Sequence, residues 1–167
     1  CGHDVDSVVA KIAAAFGLPV DITENGVLQD ACDDGAVARS DLLRAVDALK
    51  SGSETDQTRG AVIGAWLAGN TLQRIAMFED YAGVFLTEKG SPLKTLATKA
   101  AAKRMADAPD VLLREAERIM AVKATCRSVS VLSASAALMR MTVRILERYG
   151  REKENRNWLD YDDLIQT

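Results

Sequence analysis

The chain has 167 residues and a mass of 18.0 kDa, one domain's worth of sequence and enough to bury a proper core. It is 48% hydrophobic and 27% charged, which excludes a wholly disordered chain, while 11 Gly and 3 Pro exclude collagen-like and turn-dense all-β designs. A formal charge of −3 argues, as a whole-chain average, against a dedicated nucleic-acid binder.

The hydrophobic period is helical almost throughout. Asp4 or Asp6 caps a first helix whose apolar face is Val5, Val8, Val9, Ile12, Ala13 and Phe16, ended by Gly17 and Leu18-Pro19. Val27–Cys32 reads as a short helix crowded by Gly26 and by Asp33-Asp34-Gly35. Leu42, Leu43, Val46 and Leu49 give a better one, closed by Gly52. Ser53 with Asp56 three residues on is a capping-box pattern, opening a helix through Val62, Ile63, Trp66 and Leu67 that Gly69-Asn70 breaks. Leu72, Ile75, Phe78, Tyr81 and Phe85 line one further helix.

Thr87–Pro92 is irregular, and Phe85–Thr87 with Leu93–Leu96 predicts a small hairpin or an ordered loop near 85–96. Pro109 suits a helix start, followed by the stripe Leu112, Ala116, Ile119 and Met120. The β-branched, serine-rich stretch Ser128–Ser135 predicts a break or bend. After it, Leu132, Ala136, Met139, Val143 and Leu146, spaced 4-3-4-3, make a bundle seam. The expected fold is all-α: an irregular bundle of six to eight helices.

The three cysteines are odd in number and widely spaced, without a C-x-x-C pair, which argues against a disulfide framework or a zinc site and for a reducing cytoplasm. His3, the single histidine, has no sequence partner and reads as solvated. Ala61–Gln73 and Ser128–Met139, the longest uncharged runs, fall short of the ~20 apolar residues of a membrane span, and no membrane association is expected. The phosphate-loop pattern is absent; Lys94-Thr95 after Gly90 echoes it without the glycine that should precede the lysine. Asp160-Tyr161-Asp162-Asp163 has a spacing that would hold magnesium in a suitable loop. The stronger reading makes Asp160 a helix cap with acids in the first turn, and no metal site is expected.

Charge is unevenly distributed. Residues 1–60 hold eleven acids against five bases, and residues 61–167 hold thirteen acids against sixteen bases. Within 87–104, Lys89, Lys94, Lys99, Lys103 and Arg104 face only Glu88, a local +4 suited to phosphate contacts that do not read sequence. A second basic row, Arg140, Arg144, Arg148 and Arg151, shares a helical face, with Glu147 and Glu152 placed to pair at i,i+4 with Arg151 and Arg156; a solvated face is the better reading there. No aromatic platform for stacking bases is apparent.

Arg148-Tyr149-Gly150-Arg151-Glu152-Lys153 followed by Trp158 and Leu159-Asp160-Tyr161-Asp162-Asp163-Leu164-Ile165 resembles a signature of UvrD-like superfamily 1 DNA helicases, in which a long helix leads back into the first RecA-like domain. Ser51–Asp56 with Arg59-Gly60-Ala61 and Ala65-Trp66-Leu67, and Phe85–Gly90 with Leu96–Ala100, are similar to the AddA branch, the helicase–nuclease subunits of bacterial AddAB complexes. The likeness runs from about Leu42 to Ile165 and is loose over residues 1–40.

The resemblance implies an internal piece of a longer protein, in keeping with a sequence that opens Cys1-Gly2-His3 and stops in mid-pattern at Thr167. Residues 1–158 would form a helical accessory domain of the 1B type, and 159–167 would begin the return to the ATPase domain. No cofactor is expected in this piece; ATP, Mg2+ and nuclease activity would belong to the parent. The implied partners are DNA, held by its backbone, and a partner nuclease subunit. The implied location is the bacterial cytoplasm, at the nucleoid. A different class of reading is a helical interaction module whose acidic residues 1–60 dock a partner subunit.

Overall fold

The computed structural model describes residues 5–156, which form eight α-helices, one 3-10 turn and no strand. They divide into two compact units, one comprising residues 22–127 and the other residues 5–21 together with 128–156. The expected boundary at residue 158 lies outside the described residues, as do Asp4, the Asp160 cap and the Leu159–Ile165 motif.

In the larger unit, α2 (Glu24–Cys32) starts where the Thr23 side chain accepts the Gly26 N–H at 3.1 Å. The 3-10 turn Asp34–Ala36 leads into α3 (Arg39–Leu49), and α4 (Glu54–Ala68) packs beside it. The capping box forms as expected: Asp56 N–H donates to Ser53 Oγ at 3.3 Å and Ser53 N–H to Asp56 Oδ2 at 3.2 Å. Gly52 is required there on steric grounds, since a Cβ would stand 2.1 Å from Asp56 Oδ2.

The single helix expected through Leu72–Phe85 is instead two short ones, α5 (Thr71–Ala76) and α6 (Phe78–Gly83). Trp66 Nε1 donates to the Arg74 carbonyl at 2.9 Å, occupying the acceptor a continuous helix would offer to the Phe78 N–H. Met77, at φ −97 and ψ 8, is the single residue between α5 and α6. Leu72 points out of the core, 78% exposed. The core beneath contains Leu42, Leu49, Ile63, Trp66, Tyr81, Phe85, Leu112 and Ile119. Trp66 stacks on Tyr81 with centroids 3.9 Å apart, and Phe85 meets Tyr81 edge-on at 5.1 Å.

Residues 85–96 form an ordered loop with one antiparallel bridge, Leu86 to Pro92. Thr87 N–H donates to the Ser91 carbonyl at 2.8 Å and Leu93 N–H to the Phe85 carbonyl at 2.9 Å. Gly90 turns the chain at φ +78, which only glycine adopts cheaply. Then come α7 (Lys99–Arg104) and α8 (Ala108–Arg156).

α8 corrects a second expectation: it runs unbroken through Ser128–Ser135. Serine and valine each cost a helix only a few tenths of a kcal/mol relative to alanine. Burial of Val129, Leu132 and Ala136 outweighs that, at ~1.5–3 kcal/mol for each large side chain.

In the smaller unit, α1 (Val5–Ala15) lays Val9 and Ala13 against Leu132 and Ala136, with Val5, Ile12, Leu18 and Met139 at the margin. Gly17, at φ +66, closes α1 in a Schellman arrangement: Leu18 N–H reaches the Ala13 carbonyl at 2.9 Å and Gly17 N–H the Ala14 carbonyl at 3.0 Å. The expected seam is buried only at its start. Val143 is half-buried, and Leu146 and Phe16 are more than half exposed.

Candidate functional site: a basic loop and its buried clamp

The lysines of 87–104 sit where charge meets water. Lys89 and Lys94 lie in the 85–96 loop, and Lys99 and Lys103 on α7; all four are exposed. None forms an ion pair with a described residue. Arg104 differs, because its Nε and Nη2 lie 3.3 and 3.0 Å from Asp47 Oδ2 on α3. That contact holds the Asp47 carboxyl below the usual carboxylate range, through the hydrogen bonds from Arg104 and then Lys50. Arg104 is thus committed to Asp47, and of the segment's +4 the four lysines against Glu88 leave +3 outside that ion pair.

The backbone carrying these lysines is fixed from beneath. Asp56, 1% exposed, uses Oδ2 to accept both the N–H and the hydroxyl of Thr98, the residue before α7. Arg59 lies 3.5 Å from Asp56 Oδ1 and donates to the carbonyls of Leu96 at 2.6 Å and Val84 at 3.0 Å. Burial pulls its guanidinium pKa down, and Asp56 opposes that. One buried acid and one buried base therefore clamp both ends of the 84–98 segment. Each would be costly to bury alone.

Two further arginines, Arg74 buried and Arg118 partly buried, tie helices together. Arg74 donates to the carbonyls of Cys32, Trp66 and Leu67 at 3.1, 3.3 and 3.1 Å, meets Asp34 at 2.7 Å and lies over the Trp66 ring. It thereby satisfies the carbonyl ends of α2 and α4. Arg118 grips Glu115 at 2.6 and 2.8 Å and the Ala31 carbonyl at 2.8 Å, while Tyr81 donates its hydroxyl to Glu115 at 2.6 Å. Burial, and then the adjacent Glu115 charge, push the Tyr81 phenol pKa upward. Every partner here is internal, so this network is structural.

In the sequence Asp56 stood out only as a helix cap and Arg59 only within the helicase-like motif. Arg74, Glu115 and Arg118 did not stand out, although a signal was present. Arg59 continues into Ile63 and Trp66, and Arg74 into Phe78 and Tyr81, at core spacing of four and three. Arg127 was also missed. It is exposed, and its Nη2 lies 3.2 Å from where a Gly90 Cβ would stand, adding a cation beside the lysine loop.

The Arg140–Arg151 row is less available than its spacing suggests. Arg140 pairs with Asp6 at 2.9 Å, whereas Arg144, Arg148 and Arg151 are exposed without an ion pair to a described residue. Glu152 meets Arg156 at 3.3 Å. Five of the eleven acids in residues 1–60 have internal partners among the described residues: Asp6 with Arg140, Asp34 with Arg74 and Arg39, Asp41 with Arg44, Asp47 with Arg104 and Lys50, and Asp56 with Arg59.

Among the described residues no three His, Cys, Asp or Glu side chains gather as a metal site. A surface groove of about 610 Å³ lies along Leu43, Arg44, Asp47, Ala48, Arg104 and Met105, but its charged walls face one another as Arg104–Asp47. α8 is long and apolar enough to cross a membrane by length and composition, at a mean hydropathy of 1.4 over 18 residues. Its apolar stretch is interrupted by Arg140 and Arg144, each costing ~2.5–3.5 kcal/mol at a bilayer centre. Comparison with protein-family models, curated proteins and solved structures finds no match.

Proposed function

We propose that this chain is a non-catalytic helical accessory domain that holds nucleic acid by its phosphates, in a parent motor of the UvrD-like, AddA-type helicase–nuclease class. The observation that carries the reading is the set Lys89, Lys94, Lys99 and Lys103, exposed and without an ion pair to a described residue, on a segment whose backbone Asp56 and Arg59 fix. A pre-ordered cationic segment loses little conformational entropy when it meets a phosphate backbone. Arg127 beside Gly90 extends the positive surface.

In this proposal ATP and Mg2+ are used by other parts of the parent, and Leu159–Ile165 carries the chain back to the motor. A partner nuclease subunit shares the work in the bacterial cytoplasm, and the membrane has no role. The resemblance of 148–165 to the helicase signature supports the class, and the lysines support the contact. Docking through acidic residues 1–60 draws less support, because five of those eleven acids already have internal partners.

The test is fluorescence anisotropy with labelled duplex and single-stranded oligonucleotides over a salt series. Four phosphate contacts give a log–log salt slope of up to about −3.6 on duplex, and each Lys→Ala change removes about one from it. Lys94→Glu/Lys99→Glu/Lys103→Glu should abolish binding without altering the fold. Binding indifferent to salt and to that triple change would refute the contact. The parent class has its own test: a phosphate loop encoded upstream and an acidic Walker B motif downstream, whose absence from the flanking gene sequence would refute it.

A further inference from the structure

The second half of α8 has two apolar rows. One, formed by Val129, Leu132 and Ala136, is buried, the latter two against α1. The other lies on nearly the opposite side of the helix: Val131, Ala134, Leu138, Met141 and Ile145, spaced 3-4-3-4 and closing at Tyr149. Val131, Leu138, Met141, Ile145 and Tyr149 are each more than half exposed. An apolar seam two residues wide per heptad is the kind of surface a second helix covers.

We propose that this seam docks an amphipathic helix of a partner protein whose own apolar heptad row is flanked by acidic residues. The charge around the seam selects that occupant. Arg144 and Arg151 follow one flank, Arg148 interrupts the seam line, and all three are exposed without an ion pair to a described residue. Glu147 is the single acid between residues 128 and 151. A partner with glutamates along its flanks would pair with this row and bury the apolar residues between.

A second copy of this chain fits worse. Antiparallel self-pairing sets the Arg144–Arg151 flank against itself, and parallel pairing sets Arg148 against its own copy. A lipid surface also fits worse, because the seam is narrow and bordered by Ser130, Ser135 and Thr142 where a membrane-lying helix presents a broad apolar face. The proposal concerns a different surface from the lysine segment and does not depend on the nucleic-acid reading.

The probe is a dye-labelled synthetic helix of four heptads, with leucine at both seam positions and glutamate at both flanks; its control carries lysine at the flanks. Titrated with the 167-residue chain, the glutamate helix should bind in the micromolar range, and the lysine helix at least about tenfold more weakly. Leu138→Glu/Ile145→Glu should weaken the glutamate helix at least about tenfold while leaving the circular dichroism spectrum and thermal midpoint unchanged, since both sites are exposed. Should that variant misfold, Arg144→Glu/Arg151→Glu, on the polar flank, should reverse the preference toward the lysine helix. Equal binding of both probes, binding of neither, or insensitivity to these changes would overturn the proposal. So would a dimer in sedimentation that Leu138→Glu/Ile145→Glu dissolves, or seam-dependent binding to phosphatidylserine vesicles without binding to the glutamate helix.

Discussion

The two units bury their helices on very different terms. Residues 22–127 enclose a deep core with three stacked or edge-on aromatics, and buried Arg59 and Arg74 satisfy carbonyls that would otherwise be stranded. The unit of residues 5–21 and 128–156 rests on Val9, Ala13, Leu132 and Ala136, and leaves an apolar seam open on the helix that carries them. A helix draws most of its stability in a protein from packing rather than propensity. The larger unit therefore has the means to hold its shape alone, and the α8 half of the smaller one is built to gain from an added neighbour.

The harshest way to break the comparison is to take a stitch out of the larger unit. Arg74→Ala strands the carbonyls of Cys32, Trp66 and Leu67 and removes the ion pair to Asp34, at an expected cost of about 3–4 kcal/mol in chemical denaturation. A loss below about 1 kcal/mol would show that the carbonyls rehydrate and that the stitching matters little.

A milder change addresses the smaller unit. Gly17→Ala has open space for its methyl but forces a left-handed backbone, costing about 1 kcal/mol. If the units unfold separately, only the transition of the smaller one should move in calorimetry. A shift of a single common transition would tie the two together.

The smallest effect concerns pH. Arg104 and Lys50 depress the Asp47 pKa in the folded chain, so this carboxylate contributes stability above its ordinary titration range and loses it as pH falls through the depressed value. Asp47→Asn should thus be slightly less stable than the parent near neutrality and equal to it in strong acid. A difference that stays constant with pH would show that the ion pair contributes nothing.

Local chemistry was legible in the sequence, and tertiary chemistry was not. The Ser53–Asp56 box and the Gly17 terminator are written within a few residues of where they act, and so is the Gly90 turn. The helix through Ser128–Ser135 was not legible, because α1 supplies the cover that outweighs propensity and lies more than a hundred residues earlier. The break at Met77 falls where an indole eleven residues back donates to the Arg74 carbonyl, a contact between elements that local sequence does not announce. Among the candidate cations, the lysines were found by composition alone. That Arg104 and Arg140 were already taken depended on Asp47 and Asp6, distant acids whose proximity only the fold reveals.

Residue-resolved hydrogen exchange on the intact 167-residue chain, with and without a short DNA duplex at low salt, tests the central claim most directly. In the free chain, core amides of residues 22–127 should exchange at least about tenfold more slowly than those of α8 beyond Ile145, where no buried residue supports the helix. Duplex should then slow exchange across 87–104 and leave 131–149 unaffected. Protection by duplex confined to 131–149, or found nowhere, would contradict the account.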